Sequence, residues 1–140
     1  MLLEIFRRFR NQEQGFSMLE LLVYVGIVGI IVSFAIPRYT NAVAMANTAK
    51  IQSDLQTLDA AITMYQLQTG KNPANISGDL AEYVAHADRL KPPAGKCLLK
   101  SGGVMEITVA EYVIAEGGEE AGLQGHTLDD FGRGEEKEQV

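Results

Sequence analysis

The chain has 140 residues, 46% of them apolar, and a formal net charge of −6, which suggests one domain with appendages and argues against a general nucleic-acid-binding protein. The charge is uneven: residues 1–15 are weakly basic, while residues 116–140 hold most of the negative charge. A single cysteine, Cys97, excludes an intrachain disulfide and is interpreted as a partly buried small apolar residue.

The first predicted element is a hydrophobic helix. Residues 16–36 are apolar except for Ser17, Glu20 and Ser33, and their number is close to the roughly 20 residues that a membrane-spanning helix needs. Arginines precede this stretch and only Arg38 directly follows it, so the positive-inside rule predicts a cytoplasmic N-terminus. The stretch is too long for the apolar part of a secretory signal peptide and lacks a small-residue cleavage pattern, which favours a retained anchor.

Glu20 is the unexpected residue of this segment. A carboxylate entering lipid costs free energy unless a partner neutralises it, and no Lys, Arg or His lies within one helical turn. A cut after Gly15 would create an amine at Phe16, able to neutralise Glu20 in the same chain or in a neighbouring one. The alternative is a glutamate that snorkels to the membrane surface.

The stretch QGFSMLELLVYVGIVG resembles the processing site of type IV prepilins and type II secretion pseudopilins. The likeness rests on a basic leader that ends in Gly15, on Phe16 and Glu20 after it, and on Pro37 near the end of the uncharged run. It implies that a prepilin peptidase/methyltransferase cuts after Gly15 and methylates the amine of Phe16, and that the mature chain polymerises with copies of itself. It also implies an inner-membrane assembly platform, an assembly ATPase, and membrane lipid as the surroundings before assembly.

A second stretch, SDLQTLDAAITMYQLQTGKNP, is similar to the end of the long helix in major pilins and major pseudopilins. Tyr65, Gly70 and Pro73 match that pattern, whereas Asn72 stands where the family often has an aromatic residue. Together the two resemblances cover roughly residues 1–75. They imply a type IV pilin-like α+β fold, in which a long N-terminal helix, transmembrane in its first half, packs on a small antiparallel sheet.

Apolar periodicity independently predicts that the helix continues beyond Pro37, where a bend is expected. Its apolar stripe contains Ile51, Leu55, Leu58, Ile62 and Tyr65, and its opposite face is expected to carry Lys50, Asp54, Gln56, Asp59 and Gln66. Gly70 is a typical stop. Gly26 and Gly29 allow close helix packing or are ordinary membrane glycines, and the resemblance to pilins implies a third reading, a stretch that unwinds on entering a filament.

The head is predicted from local patterns. Asp79 and Glu82 form a capping-box pattern that opens a short helix, DLAEYVAHADRL, on which His86 is expected at the surface rather than as a metal ligand. KCLLK and VMEITV are expected to pair around a glycine turn, with EYVIAE as the third strand of the same antiparallel sheet.

The Gly- and Glu-rich C-terminal segment is predicted to be at least partly disordered, and residues 135–140 fully so. Leu123, Leu128 and Phe131 are candidates for anchoring part of it to the head. No metal site is predicted. The alternative is calcium at Asp129, Asp130 and Glu119, because major pseudopilins bind calcium in their C-terminal loop, although the required spacing of oxygen ligands is not visible.

The predicted organisation has five parts. They are a prepilin leader at 1–15, a transmembrane and filament-core helix at 16–37, its amphipathic continuation at 38–70, a globular head at 71–115, and an acidic tail at 116–140. Gly15 and Phe16 are the processing residues, and Glu20, Gly26, Gly29 and Pro37 are the assembly residues. No catalytic residue is predicted, so the chain is expected to be a structural subunit rather than an enzyme.

The sequence does not determine which type of filament the chain builds. An adhesive or motile type IV pilus, a type II secretion pseudopilus and a DNA-uptake pilus all fit, with a major subunit favoured by the segment at the end of the helix. Nucleic acid is a partner only in the uptake case, through the basic residues Arg89, Lys91, Lys96 and Lys100, which otherwise form a solvated surface. The remaining alternative is a single-pass anchor that presents a binding head.

Overall fold

The computed structural model describes residues 17–86 and 89–134. In chain order these contain helix α1 (Met18–Thr69), the short helix α2 (Ile76–Asp79), strands β1 (Gly95–Leu98), β2 (Val104–Ile107), β3 (Val113–Ile114), β4 (Ala121–Leu123) and β5 (His126–Thr127), and a 3-10 helix, Leu128–Asp130. The chain divides into two compact units, one ending at Tyr39 and one beginning at Thr40. Helix α1 contributes to both, and each unit is described by itself.

Helix α1 is continuous through Pro37 and ends where the sequence predicts. Gly70 has a φ of 68° and its amide donates to the carbonyl of Gln66 at 2.8 Å. A residue without a Cβ adopts this left-handed conformation at little cost, which explains why the helix ends before Gly70. The predicted stop is therefore confirmed.

The second unit is built on the apolar stripe of α1. Ile51, Leu55, Leu58 and Ile62 are fully buried, and Tyr65 packs against the cluster that they form. Leu80, Val84, Cys97, Tyr112, Ala121, Leu123 and Phe131 complete its core. Fully burying a side chain the size of Leu or Ile contributes about 1.5–3 kcal/mol, so this stripe is a large part of the head's stability. The predicted stripe and the α+β class are confirmed.

Asp54, expected on the face of α1 opposite the apolar stripe, is buried. It is only 7% exposed, and its carboxylate accepts hydrogen bonds from the Tyr112 hydroxyl at 2.8 Å and the Lys50 ammonium at 2.6 Å. Burial, followed by the neighbouring Asp54, raises the pKa of Tyr112. The phenol therefore stays protonated and donates to the carboxylate. A buried acid is tolerated here because two donors replace its water.

Asp59 is also drawn towards the head, since its carboxylate accepts the amide of Ala121 at 2.6 Å. Burial raises the pKa of Asp59, the hydrogen bond from Ala121 works against that shift, and the charge of Asp129 adds to it. Strand β4 is thereby attached to the helix by a polar contact as well as by packing.

The predicted hairpin is confirmed, but the predicted third strand is not. β1 and β2 pair antiparallel, with Cys97 opposite Met105, and form a sheet of two strands. β3 pairs instead with β4, which pairs with β5 in a separate antiparallel sheet. Between the hairpin and β3, the side chain of Gln124 binds Thr108, and Tyr112 turns inward to Asp54. These contacts support a chain path that takes β3 away from β2.

The predicted capping box at Asp79 and Glu82, and the helix expected to begin there, are wrong, because the short helix α2 ends at Asp79. Asn75 caps α2 by accepting the amide of Gly78 at 2.7 Å, and Asp79 accepts the amides of Ala74 and Asn75. Asp79 therefore lies at the end of the helix and binds back to its start. The chain continues as turns through His86, which has a φ of 64°, and Leu80 and Val84 still reach the core.

Residues 121–131 contribute more structure than the predicted tail. Leu123 and Phe131 are fully buried, and Leu128 packs against the core, so the anchoring role expected of them is confirmed. Phe131 forms a bridge with Leu99, and its carbonyl accepts the side-chain amide of Gln52 at 2.8 Å. The disorder predicted for residues 135–140 falls outside the described residues.

We expect Phe131→Ala to destabilise the head by about 3–5 kcal/mol, because it removes a buried ring and leaves a cavity. Leu67→Ala is the control, since Leu67 lies on α1 and is 81% exposed, so its loss should cost within about 0.5 kcal/mol. Urea unfolding of the full chain in micelles, followed by the near-ultraviolet circular dichroism of its tyrosines, measures both. Equal midpoints for the two variants would mean that Phe131 is not a core residue.

Candidate functional site

The first part of α1 exposes nearly all of its apolar surface. The most apolar 18-residue stretch of α1 is 0% buried within the described protein. Among the described residues, α1 is the helix that is long and apolar enough to cross a membrane. Leu22 is 68% exposed and Phe34 is 72% exposed. Such a surface requires lipid or the apolar surface of other helices, since exposing it to water is unfavourable.

The helix begins at a cap that contains Glu20. The hydroxyl of Ser17 accepts the backbone amide of Glu20 at 3.2 Å, and α1 starts at Met18. Ser17 and Glu20 thus match the spacing of a capping box, S-x-x-E, and the carboxylate lies in the first turn, where the helix dipole stabilises negative charge. The sequence contained this signal, but the interpretation of Glu20 as an assembly contact did not use it.

The side chain of Glu20 is exposed and forms no ion pair with any residue in the described part of the chain. Gly15 and Phe16, the two predicted processing residues, lie outside that part, so the predicted contact between Glu20 and the Phe16 amine stays a prediction. A cap satisfies the backbone amide of Glu20 but leaves the carboxylate oxygens available for a partner from another chain.

The other assembly residues lie along the same helix. A Cβ placed on Gly26 or Gly29 would meet nothing within 4 Å, so close packing inside this chain does not require either glycine. The hydroxyl of Ser33 donates to the carbonyl of Gly29 at 2.8 Å, and Pro37 follows one turn later without an amide hydrogen. Serine hydroxyls bound in this way weaken helices locally, so this stretch combines several helix-weakening features.

The remaining candidates in the head do not converge on a site. His86 is exposed, as expected, and Cys97 is fully buried, with burial raising the pKa of its thiol. The carboxylate of Asp130 accepts the amide of Thr127 and lies 3.4 Å from His126. In residues 17–86 and 89–134 no three His, Cys, Asp or Glu side chains are grouped as metal ligands, so the calcium alternative gains no support there.

The basic residues Arg89, Lys91, Lys96 and Lys100 are all exposed, and within the described residues none of them forms an ion pair. Their surface is solvated, as the sequence suggests. The sequence from Arg89 to Lys100 holds no aromatic residue on which the bases of a single-stranded nucleic acid could stack.

The region around Glu20 matches a known family. The family described as the prokaryotic N-terminal methylation motif covers residues 10–36, which include the predicted processing residues, Glu20 and both glycines. Type II secretion system core protein G from Klebsiella michiganensis is 32% identical over 69 residues, 49% of each chain. The chain thus carries the prokaryotic N-terminal methylation motif and, over part of its length, is similar to type II secretion system core protein G.

Two further relatives extend the likeness of this pilin-like chain into its head. Core protein G from Escherichia coli (strain K12) is 28% identical over 116 residues, 80% of this chain and 78% of the relative. A type IV major pilin protein from Neisseria gonorrhoeae is 28% identical over 127 residues, 88% of this chain and 64% of the relative. The chain spans about half the length of the first relatives that it matches, and no solved structure matches it.

We expect Gly26→Ala and Gly29→Ala to leave processing and membrane insertion normal but to reduce the yield of filaments. The new methyl groups meet nothing in the chain itself, and alanine favours the helix by up to about 1 kcal/mol relative to glycine. Any loss must then arise when helices pack together or unwind.

Val28→Ala, in the same part of α1, is the control. Immunoblots of membranes and of sheared filaments measure precursor, mature chain and polymer. Full filament yield from both glycine variants would rule out a role for these glycines in assembly.

Proposed function

We propose that this chain is a structural subunit of a type IV pilus-like or pseudopilus filament. A prepilin peptidase cuts after Gly15 and methylates Phe16, and the mature chain polymerises from the cytoplasmic membrane. Its role is structural rather than catalytic. The observation that carries this proposal is the methylation motif over residues 10–36, whose apolar part belongs to a stretch of α1 that no other part of the described chain buries.

Glu20 has a specific task in this proposal. In lipid, an unpaired carboxylate is unfavourable, and the amine of Phe16 in a neighbouring copy supplies the missing charge. Because one Glu20 meets one amine, the contact fixes the position of each incoming subunit along the filament. The helix cap at Ser17 supports this role, since it holds the first turn of α1 in place while the carboxylate stays exposed.

The unassembled precursor spans the membrane with its N-terminus in the cytoplasm. The arginines before residue 16 support that orientation through the positive-inside rule. The assembly platform and the assembly ATPase act from the cytoplasmic side, and the finished filament lies in the periplasm or outside the cell.

As the finer assignment we propose the major subunit of a type II secretion pseudopilus. The relatives support it, because core proteins G from several bacteria match the chain, and the alignment covers 78% of the one from Escherichia coli against 64% of the Neisseria pilin. Filament length distinguishes the two machines. Short structures confined to the cell envelope support the pseudopilus, and long surface fibres or DNA uptake by the cells contradict it.

Glu20→Ala tests the assembly contact. We expect normal insertion and processing, because the change makes the segment more apolar, but a loss of polymer of at least about tenfold, consistent with removing a charged hydrogen-bonded pair in lipid. Glu20→Asp is the matched control, since it keeps the charge and should retain part of the polymer. Cross-linking in membranes and electron microscopy of sheared material give the readout. Wild-type filament yield from Glu20→Ala would refute the contact.

Gly15→Val tests processing. A branched side chain at the cleavage position blocks access of the peptidase to the bond, so we expect only the uncleaved precursor in the membrane. N-terminal sequencing identifies the product, and Gln14→Val is the control beside it. An exposed Phe16 in the Gly15 variant would contradict processing at this bond.

A further inference from the structure

A groove in the head is not explained by a filament role. It encloses about 660 Å³ and lies between strand β3 and the chain that runs through α2 to Lys91. Its lining includes Ile76, Val84 and Leu90 from that part of the chain and Val113 and Ile114 from β3. Both walls belong to the second unit, so the groove forms within the head alone.

Strand β3, which lines this groove, has a backbone edge that pairs with no other strand in the described part of the chain. Val113 lies opposite Gly122 and Ile114 opposite Ala121, and the amide of Ala115 donates to the carbonyl of Glu120 at 2.8 Å. In an antiparallel pair the residues alternate between bonding to the partner strand and pointing away from it. Because Ala115 bonds to β4, the amide and carbonyl of Ile114 point away from β4.

Among the described residues, β3 has no second neighbour, since its sheet runs β3-β4-β5. An edge residue with a free amide and carbonyl is the template to which an extended peptide adds as a further strand. The groove beside it provides the space that such a strand needs, and its apolar wall can accept every second side chain of the peptide.

The charged residues of the groove indicate which peptide side chains it favours. Lys91 lines the groove, is exposed, and has no ion pair within the described residues. Arg89 lies two residues before it and is also unpaired there. Within the described residues, Glu111 is the acid of the lining, and it lies two residues before β3. A carboxylate on the groove-facing side of a peptide therefore complements Lys91.

We propose that the head binds an extended segment of a partner protein, which adds to the free edge of β3. Its groove-facing positions carry apolar side chains towards Ile76 and Val84 and an acidic side chain towards Lys91. This binding is separate from polymerisation, because it uses neither Glu20 nor the exposed apolar part of α1.

The test uses the full chain in detergent micelles and a fluorescein-labelled peptide of sequence TVTVTET, in which two valines and the glutamate share one face. We expect saturable binding by fluorescence anisotropy. Ile114→Pro removes the outward amide but no bond to β4, so we expect a loss of affinity of at least about tenfold. The charge-reversed peptide TVTVTKT should bind more weakly than TVTVTET, and Lys91→Glu should reverse that preference.

Val104→Pro is the matched control. Val104 lies opposite Leu98 on the two-stranded sheet, and since Leu99 bonds to Gly103, the amide of Val104 likewise points away from its partner strand. Val104 does not line the groove. The affinity of the Val104→Pro variant for TVTVTET should therefore stay within about twofold of that of the unaltered chain. Thermal unfolding checks that both proline variants fold.

A second readout needs no variant. In hydrogen exchange followed by NMR, TVTVTET should slow exchange at the amide of Ile114 and change little at Ala115, which is already bonded. Absence of saturable binding up to about 1 mM peptide, equal affinity of the two proline variants, or unchanged exchange at Ile114 would each overturn the proposal.

Discussion

Helix α1 carries one apolar surface in its N-terminal part and another in its C-terminal part. The rest of the molecule depends on what covers each of them. In the C-terminal part of α1, strands, turns and the segment that ends at Phe131 cover the apolar side chains of Ile51, Leu55, Leu58 and Ile62. Its N-terminal part is covered by nothing in the described chain. The first part is satisfied within one subunit, whereas the second requires lipid or other subunits. That difference makes one helix both the core of a folded head and a component of a larger assembly.

The polar residues of α1 follow the same division. In the head, Asp54 is buried against Tyr112 and Asp59 receives the amide of Ala121, so each acid has donors from its own chain. Glu20 has only the cap at Ser17 for its backbone. An acid whose carboxylate lacks a partner within the described chain, on a surface that needs other molecules, supports the proposal that its partner is another copy.

Much of this fold is readable from sequence because it depends on local patterns. The stripe from Ile51 to Tyr65, the stop at Gly70 and the hairpin around Gly102 follow from periodicity and glycine chemistry. The burial of Asp54 was not readable, since its partner Tyr112 lies 58 residues away. Strand β3 has two residues, too few to show any alternation, so its pairing with β4 rather than β2 had no signal in the sequence. At the candidate site, the motif around Glu20 was readable, and the groove beside β3 was not.

The central claim is that processing at Gly15 turns a membrane-anchored precursor into a polymer subunit. The most direct measurement is an intact-mass spectrum of the chain recovered from filaments or, for a short pseudopilus, from purified membranes. We expect a chain that lacks residues 1–15 and carries one additional methyl group, which fragmentation assigns to the amine of Phe16. A mature protein that retains residues 1–15 would contradict the account and favour a single-pass membrane anchor.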